Sequence, residues 1–213
     1  YKKTGALLKF WLWAVRTDFY SALGAGCLTL ANMLLQKIPL RISSIAVASF
    51  FVYAMHVLNR LISNKESGLI GSFREKSYRQ NEKYYRLAAV LSLLIALILS
   101  FFNSMFSFIF LLFISLAGVL YNMKIMPGNR RFQRLRDIPG SKNIFIASAW
   151  GMAAAVLPAL NDSQTVTAAN LIAFIFTFIL VFIRSAMSDI MDIQSDKLLG
   201  RETIPVVIGQ EKT

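Results

Sequence analysis

The segment "LIAFIFTFILVFI", Leu171 to Ile183, carries no charge, and windows like it recur along the chain. A helix that is apolar on every side needs hydrocarbon or a protein interior all round it. Six such windows stand out: about Tyr20–Leu35, Ile45–Leu61, Leu87–Phe102, Met105–Tyr121, Ile144–Leu160 and Leu171–Ile183. None shows the polar/apolar alternation of a barrel strand, so each is expected to cross a membrane as a helix. Charged residues make up only 16% of the chain and hydrophobic residues 56%. A soluble domain would carry more charge, about 25%. The expected fold class is all-α, a multi-span transmembrane helical bundle.

The 23 lysines and arginines against 11 acidic residues leave a net charge of +12. Such an excess can mark a nucleic-acid binder, but its distribution argues against that partner. If the N-terminus is cytosolic and the spans alternate, every Lys and Arg except Lys37 and Arg41 falls on the cytosolic side. This is the positive-inside asymmetry. It predicts an integral protein of the cytoplasmic membrane whose long loops, 62–86 and 122–143, are cytosolic. Membrane lipid, not nucleic acid, is then the neighbour of the basic residues.

Residues 1–19 form a separate amphipathic segment. Lys2, Lys3, Lys9 and Arg16 interleave with Leu7, Leu8, Phe10, Trp11, Leu12 and Trp13. The pattern fits a helix at the membrane surface or a basic anchor before the first span, and not a cleaved signal. The single cysteine, Cys27, is expected as a small buried side chain and cannot form a disulfide within one chain. The chain starts at Tyr1 and stops after "PVVIGQEKT", which reads as the lead-in to another element.

Two spans end in polar helical stretches on the same side: "HVLNRLISNKES", His56 to Ser67, and "RSAMSDIMDIQSD", Arg184 to Asp196. Asp189, Asp192 and Asp196 fall within about 60° of one another on a helix. Solvated, the three carboxylates repel by a few tenths of a kcal/mol per pair. They belong either to a capped, solvated helix end or to a site holding a cation. Mg²⁺ is commonly held by one or two carboxylates together with substrate phosphates, so a Mg²⁺-bridged diphosphate is an economical occupant. A diphosphate also needs cationic side chains. Lys142 at the start of the fifth span, Arg134 and Arg136 before it, and Arg184 at the end of the sixth can supply them. Each also suits an ordinary positive-inside anchor. Tyr121 suits either an interface anchor or the site, and His56 is expected as a polar residue near the interface.

The stretch "DIQSDKLLGRETIPVVIG", Asp192 to Gly209, resembles the second aspartate-rich motif of the UbiA superfamily of intramembrane prenyltransferases. "RLRDIPGSKNIFIASAW", Arg134 to Trp150, is similar to that family's segment before its fifth helix. The resemblance covers essentially the whole chain as a single domain, 1–213. It implies a bundle of about nine helices, so that the six in view are a fragment. It implies Mg²⁺ as cofactor, with an isoprenyl diphosphate and a lipophilic acceptor as partners. Asp192, Asp196 and Asn59 are then expected as catalytic residues, joined by Asp189 as metal ligands. Lys142, Arg136, Lys124, Tyr121, Arg60 and Arg184 are expected against the diphosphate.

The first motif departs from the family. Its pattern is Asn-Asp-x-x-Asp-x-x-x-Asp; Asn59 matches the Asn, but the acidic positions fall on Arg60, Ser63 and Ser67. The spacing of Tyr121 and Lys124 is also one residue short. Two functions follow as expectations: a Mg²⁺-assisted membrane prenyltransferase, or a catalytically impaired relative that binds a prenyl lipid or a partner enzyme. A coupled transporter is a weaker match, because the spans carry almost no ionisable group at mid-depth and Pro158 is their one breaker.

Overall fold

Helices form where the apolar windows fall. A computed structural model describes residues 4–66, 80–123, 140–162 and 167–191, with residues 78, 134, 135, 138, 193, 206 and 209. In order the elements are α1 (Thr4–Arg16), α2 (Phe19–Leu35), α3 (Ile42–Glu66), α4 (Glu82–Asn103) and α5 (Met105–Asn122). Then come α6 (Ser141–Gly151), a π-helical turn (Met152–Val156), α7 (Leu157–Asp162) and α8 (Ala168–Met191). Among the described residues there is no strand. Among the described residues, five stretches are long and apolar enough to cross a membrane: Ile42–Ile62, Glu82–Asn103, Met105–Asn122, Ser141–Asp162 and Ala168–Met191. The sixth, α2, has 17 residues and spans about 25 Å at 1.5 Å per residue, the short end of the range. The protein is an all-α, multi-span membrane bundle.

The side chains sort as a bilayer requires. Large apolar groups face outward, as with Leu94, Ile98 and Phe101 on α4 or Ile172, Ile175 and Ile179 on α8. The inward faces carry small or polar groups: Ser92, Ala96 and Ser100 on α4, and Ala173, Thr177, Val181 and Ser185 on α8. Lipid tails are as apolar as leucine, so close packing and hydrogen bonds, not hydrophobicity, hold such helices together. Gly151 shows the closeness: a β-carbon there would sit 2.8 Å from the Phe174 ring on α8. Cys27 departs from expectation. It is exposed on α2 in line with Leu23, Leu30 and Leu34.

The Ser141–Asp162 span is the central staff, 56% buried against 17% for the Ala168–Met191 span. Its π turn has a traceable cause. Pro158 lacks an N–H and its ring crowds the carbonyl of Ala154, so that carbonyl loses its helical donor. Asn32 of α2 replaces it, donating from Nδ2 to Ala154 O at 3.1 Å and to Thr177 Oγ1 at 2.7 Å. One turn on, Gln36 donates to Ala155 O at 3.2 Å and accepts from Asn170. Nearby, Asn161 donates to Ser44 Oγ at 3.0 Å and accepts from Ser107, while Arg41 donates to its carbonyl at 3.0 Å. These contacts gather at the end of the bundle that carries Arg41.

The N-terminal segment is helical as α1, which packs on α2 through the buried Ala14. Leu8, Phe10, Trp11, Leu12 and Trp13 are all exposed, the surface expected of a helix lying in a membrane interface. Within the stretch 62–86, Tyr78 and Gln80 are helical and α4 starts at Glu82.

The Asn32 contacts yield a direct test. Asn32→Leu leaves Ala154 O and Thr177 unsatisfied in an apolar interior, so stability is expected to fall by about 1–3 kcal/mol. Unfolding in mixed micelles measures it, and an unchanged midpoint would refute the role given to Asn32.

Candidate active site

The opposite end of the bundle gathers the residues singled out from sequence. Along α8, Ser185 and Asp189 are four apart and both buried, facing the first turn of α6. Asp189 accepts from Lys142 Nζ at 2.7 Å on one oxygen and from Asn143 Nδ2 at 2.9 Å on the other. Ser185 donates to Asn143 Oδ1 at 2.6 Å. The start of α6 is thus zipped to the end of α8, with a carboxylate near a helix N-terminus, where the dipole favours it. Lys142 keeps 52% of its side chain exposed, so its ammonium is half in solvent and half in the pair.

The same turn of α6 meets α5. The left-handed Gly140 (φ 78°) turns the chain into α6, and Ser141 shares a hydrogen bond with the Tyr121 hydroxyl at 3.1 Å. The Tyr121 ring is buried and stacks on Phe145, centroids 4.2 Å apart. One residue on, Asn122 donates to Asn59 Oδ1 on α3 at 2.9 Å and to its own helix at Gly118 O.

On its other side α3 meets the turn between α1 and α2. Arg60 Nε lies 3.0 Å from Asp18 Oδ2, and Tyr78 donates its hydroxyl to that same oxygen at 2.7 Å. Asp18 is fully buried in a left-handed conformation (φ 58°) that L-residues seldom adopt, so the surrounding contacts hold it there. Tyr78 is fully buried, stacks on Tyr85 and lies beneath the Arg60 guanidinium. Burial and then the Asp18 charge push its hydroxyl far above the ordinary tyrosine range, so it remains a donor. Arg184 of α8 donates to Tyr20 Oη at 2.9 Å on α2, with its guanidinium over the rings of Tyr20 and Trp150.

These contacts close a circuit: α3 to α5 through Asn59, α5 to α6 through Tyr121, and α6 to α8 through Lys142. It continues from α8 to α2 through Arg184, and back to α3 through Asp18 and Arg60. The polar ends of α3 and α8 are therefore joined around a single ring. Inside it stands His56, edge-on to Trp150 at 6.3 Å, with Asp18, Arg60, Arg184 and Lys142 all near enough to act on it electrostatically. It was expected as an interfacial polar residue and lies instead at the centre.

Of the residues expected from sequence, Asn59, Arg60, Tyr121, Lys142, Arg184 and Asp189 are brought together. Lys124, Arg136, Asp192 and Asp196 lie outside the described residues. Sequence reasoning missed Asp18, Asn122, Asn143 and Trp150. Asp18 left a signal: it is the one carboxylate in a basic N-terminal segment, and an arginine in an acidic motif's place needs a counter-charge. Among the described residues no three His, Cys, Asp or Glu side chains cluster as a metal site.

The Asp18–Arg60 pair makes its own prediction. Arg60→Leu strands a buried carboxylate and is expected to destabilise by roughly 3–5 kcal/mol. Adding Asp18→Asn should recover most of that loss in the same unfolding measurement. Additive losses would show that the two groups do not depend on each other.

Residues 80–213 match the family model described as the UbiA prenyltransferase family. Comparison with curated proteins found no match. Comparison with solved structures found none either. The matched region contains α4 to α8 with Tyr121, Lys142, Arg184 and the aspartate-rich stretch from Asp189 onward, and it leaves out α1 to α3 with Asp18, His56, Asn59 and Arg60. The match spans well over half of the 213 residues, and the chain belongs to the UbiA prenyltransferase family.

Proposed function

We propose that this protein transfers an isoprenyl group from an isoprenyl diphosphate to a lipophilic acceptor, at the end of the bundle where the circuit closes. The observation that carries this reading is the convergence of Lys142, Arg184 and Arg60 with Asn59 and Asp189 on one ring. A diphosphate brings several negative charges; Arg184 and the half-exposed Lys142 offer cations to it, while Arg60 is paired with Asp18. Apolar helices give the isoprenyl tail hydrocarbon to lie against. The distribution of Lys and Arg supports placing this end in the cytosol, at the cytoplasmic membrane, where a soluble diphosphate headgroup is reached from water.

Mg²⁺ fits the donor set. Each Asp189 oxygen accepts one hydrogen bond, and a carboxylate has about four lone-pair sites, so capacity for a hard cation remains. Asp192 and Asp196, on the following turns of sequence, would hold the ion with Asp189 and Asn59. When bound, it offsets the charge that grows on the departing diphosphate. The chain's own residues orient the rest. Asp189 and Asn143 fix Lys142 at the mouth of α6, and Tyr20 and Trp150 fix the Arg184 guanidinium. Lys124 and Arg136 add positive charge from the loop before α6, and Tyr121 offers a hydroxyl beside Lys142.

One observation favours a second reading, a relative that binds a prenyl lipid without turning it over. Arg60 stands where the family carries an aspartate, and its guanidinium is paired with Asp18 rather than with an added carboxylate. One assay separates the two. The full-length protein in nanodiscs is given isoprenyl diphosphates of graded chain length, and diphosphate release is measured with and without Mg²⁺. Transfer predicts Mg²⁺-dependent release that falls at least about 100-fold in Asp192→Ala, the scale of a lost charge stabiliser, with a similar loss in Lys142→Ala. Saturable binding with no release by the wild type would establish the second reading.

A further inference from the structure

We infer that His56 accepts the proton that the acceptor loses during alkylation; this rests on the transfer reading above. In that reaction the bond between the allylic carbon and the diphosphate oxygen breaks, and both electrons leave with the diphosphate. The acceptor's carbon or oxygen then bonds to the allylic carbon, and the proton it carried must go to a base. The lone pair of one imidazole nitrogen takes it, and the imidazolium returns it to water.

The other polar groups at this end are occupied or unsuited. Asp189 is held by Lys142 and Asn143. Asp18 Oδ2 is held by Arg60 and Tyr78, and its unpartnered Oδ1 belongs to a side chain with no accessible surface. Lysine and arginine are donors only at neutral pH. His56 is the chain's single histidine, and among the described residues neither ring nitrogen has a hydrogen-bond partner. It keeps some accessible surface, and its edge-on contact with Trp150 fixes the ring. It lies three and four residues before Asn59 and Arg60, hence on their side of α3 and one turn deeper. A reacting carbon lies deeper than the diphosphate it leaves, so a base for the acceptor belongs one layer below the residues that hold the phosphates.

The charged groups facing His56 are Arg60 on its own helix, Asp18 from the α1–α2 turn, Lys142 from α6 and Arg184 from α8. Asp18 brings the one carboxyl group among them, and its Oδ1 is buried with no hydrogen-bond partner among the described residues.

The experiment measures two products at once. The full-length protein in nanodiscs receives an isoprenyl diphosphate and a panel of phenol and naphthol acceptors, and diphosphate release and acceptor alkylation are both followed. In His56→Gln, which keeps hydrogen bonding but cannot take a proton, alkylation is expected to fall about 100-fold while release falls far less. Alkylation by the wild type should also decline as pH is lowered through the imidazole's titration, a limb missing from the variant's profile. The wild-type profile tests the inference even if the variant fails to fold. Alkylation by His56→Gln at the wild-type rate, or a wild-type profile without the acid limb, would overturn it and point to the departing diphosphate as base. Absence of release from the wild type would instead remove the transfer reading, and this inference with it.

Discussion

Every polar group inside this bundle must find its partner in the protein, because hydrocarbon offers none. That constraint organises both ends of the molecule. At one end it explains why a proline in α7 calls for Asn32 on α2: the carbonyl that Pro158 disables must be satisfied by a side chain. At the other it explains why the ends of α2, α3, α5, α6 and α8 are tied into one ring of hydrogen bonds and ion pairs. The first network locks α2, the central span and α8 together at the Arg41 end. The second gathers the residues of the proposed active site, which thereby rest on helices held rigidly at their far ends.

The Asp18–Arg60 pair shows how charge is held within that constraint. Arg60 on α3 and Asp18 on the α1–α2 turn, a whole span apart in sequence, meet at 3.0 Å. The long connection between α3 and α4 is tied to the same point through Tyr78.

The spans were legible because membrane helices announce themselves by length and apolarity. Their inward faces were not: Ser92, Ser100, Thr177 and Ser185 are buried for reasons of packing and hydrogen bonding that a hydropathy pattern does not encode. Lys142, Arg184, Asp189, Asn59 and Tyr121 were legible as candidates because each stands at the end of an apolar span. Their partners were not. Asn122 and Asn143 are ordinary polar residues until helices far apart in sequence bring them to Asn59 and Asp189. Asp18 was hidden for the same reason, separated from Arg60 by a whole span. His56 looked interfacial because it sits near the end of α3, and only the inward direction of that face places it between Trp150 and four charged groups. The exposed Cys27 follows from which face of α2 meets lipid, a choice set by α3 and the π turn.

On the function proposed above, an isoprenyl diphosphate occupies the ring around His56, between Lys142 and Arg184. Trp150 reports on that place, since its ring touches both Arg184 and His56. With Trp11 and Trp13 replaced by Phe, Trp150 is the remaining tryptophan. Titration of that protein with an isoprenyl diphosphate and Mg²⁺ should give a saturable change in Trp150 emission that chelation of the metal reverses. Emission that stays constant while the same protein releases diphosphate from the added donor would place the reaction elsewhere and contradict the account.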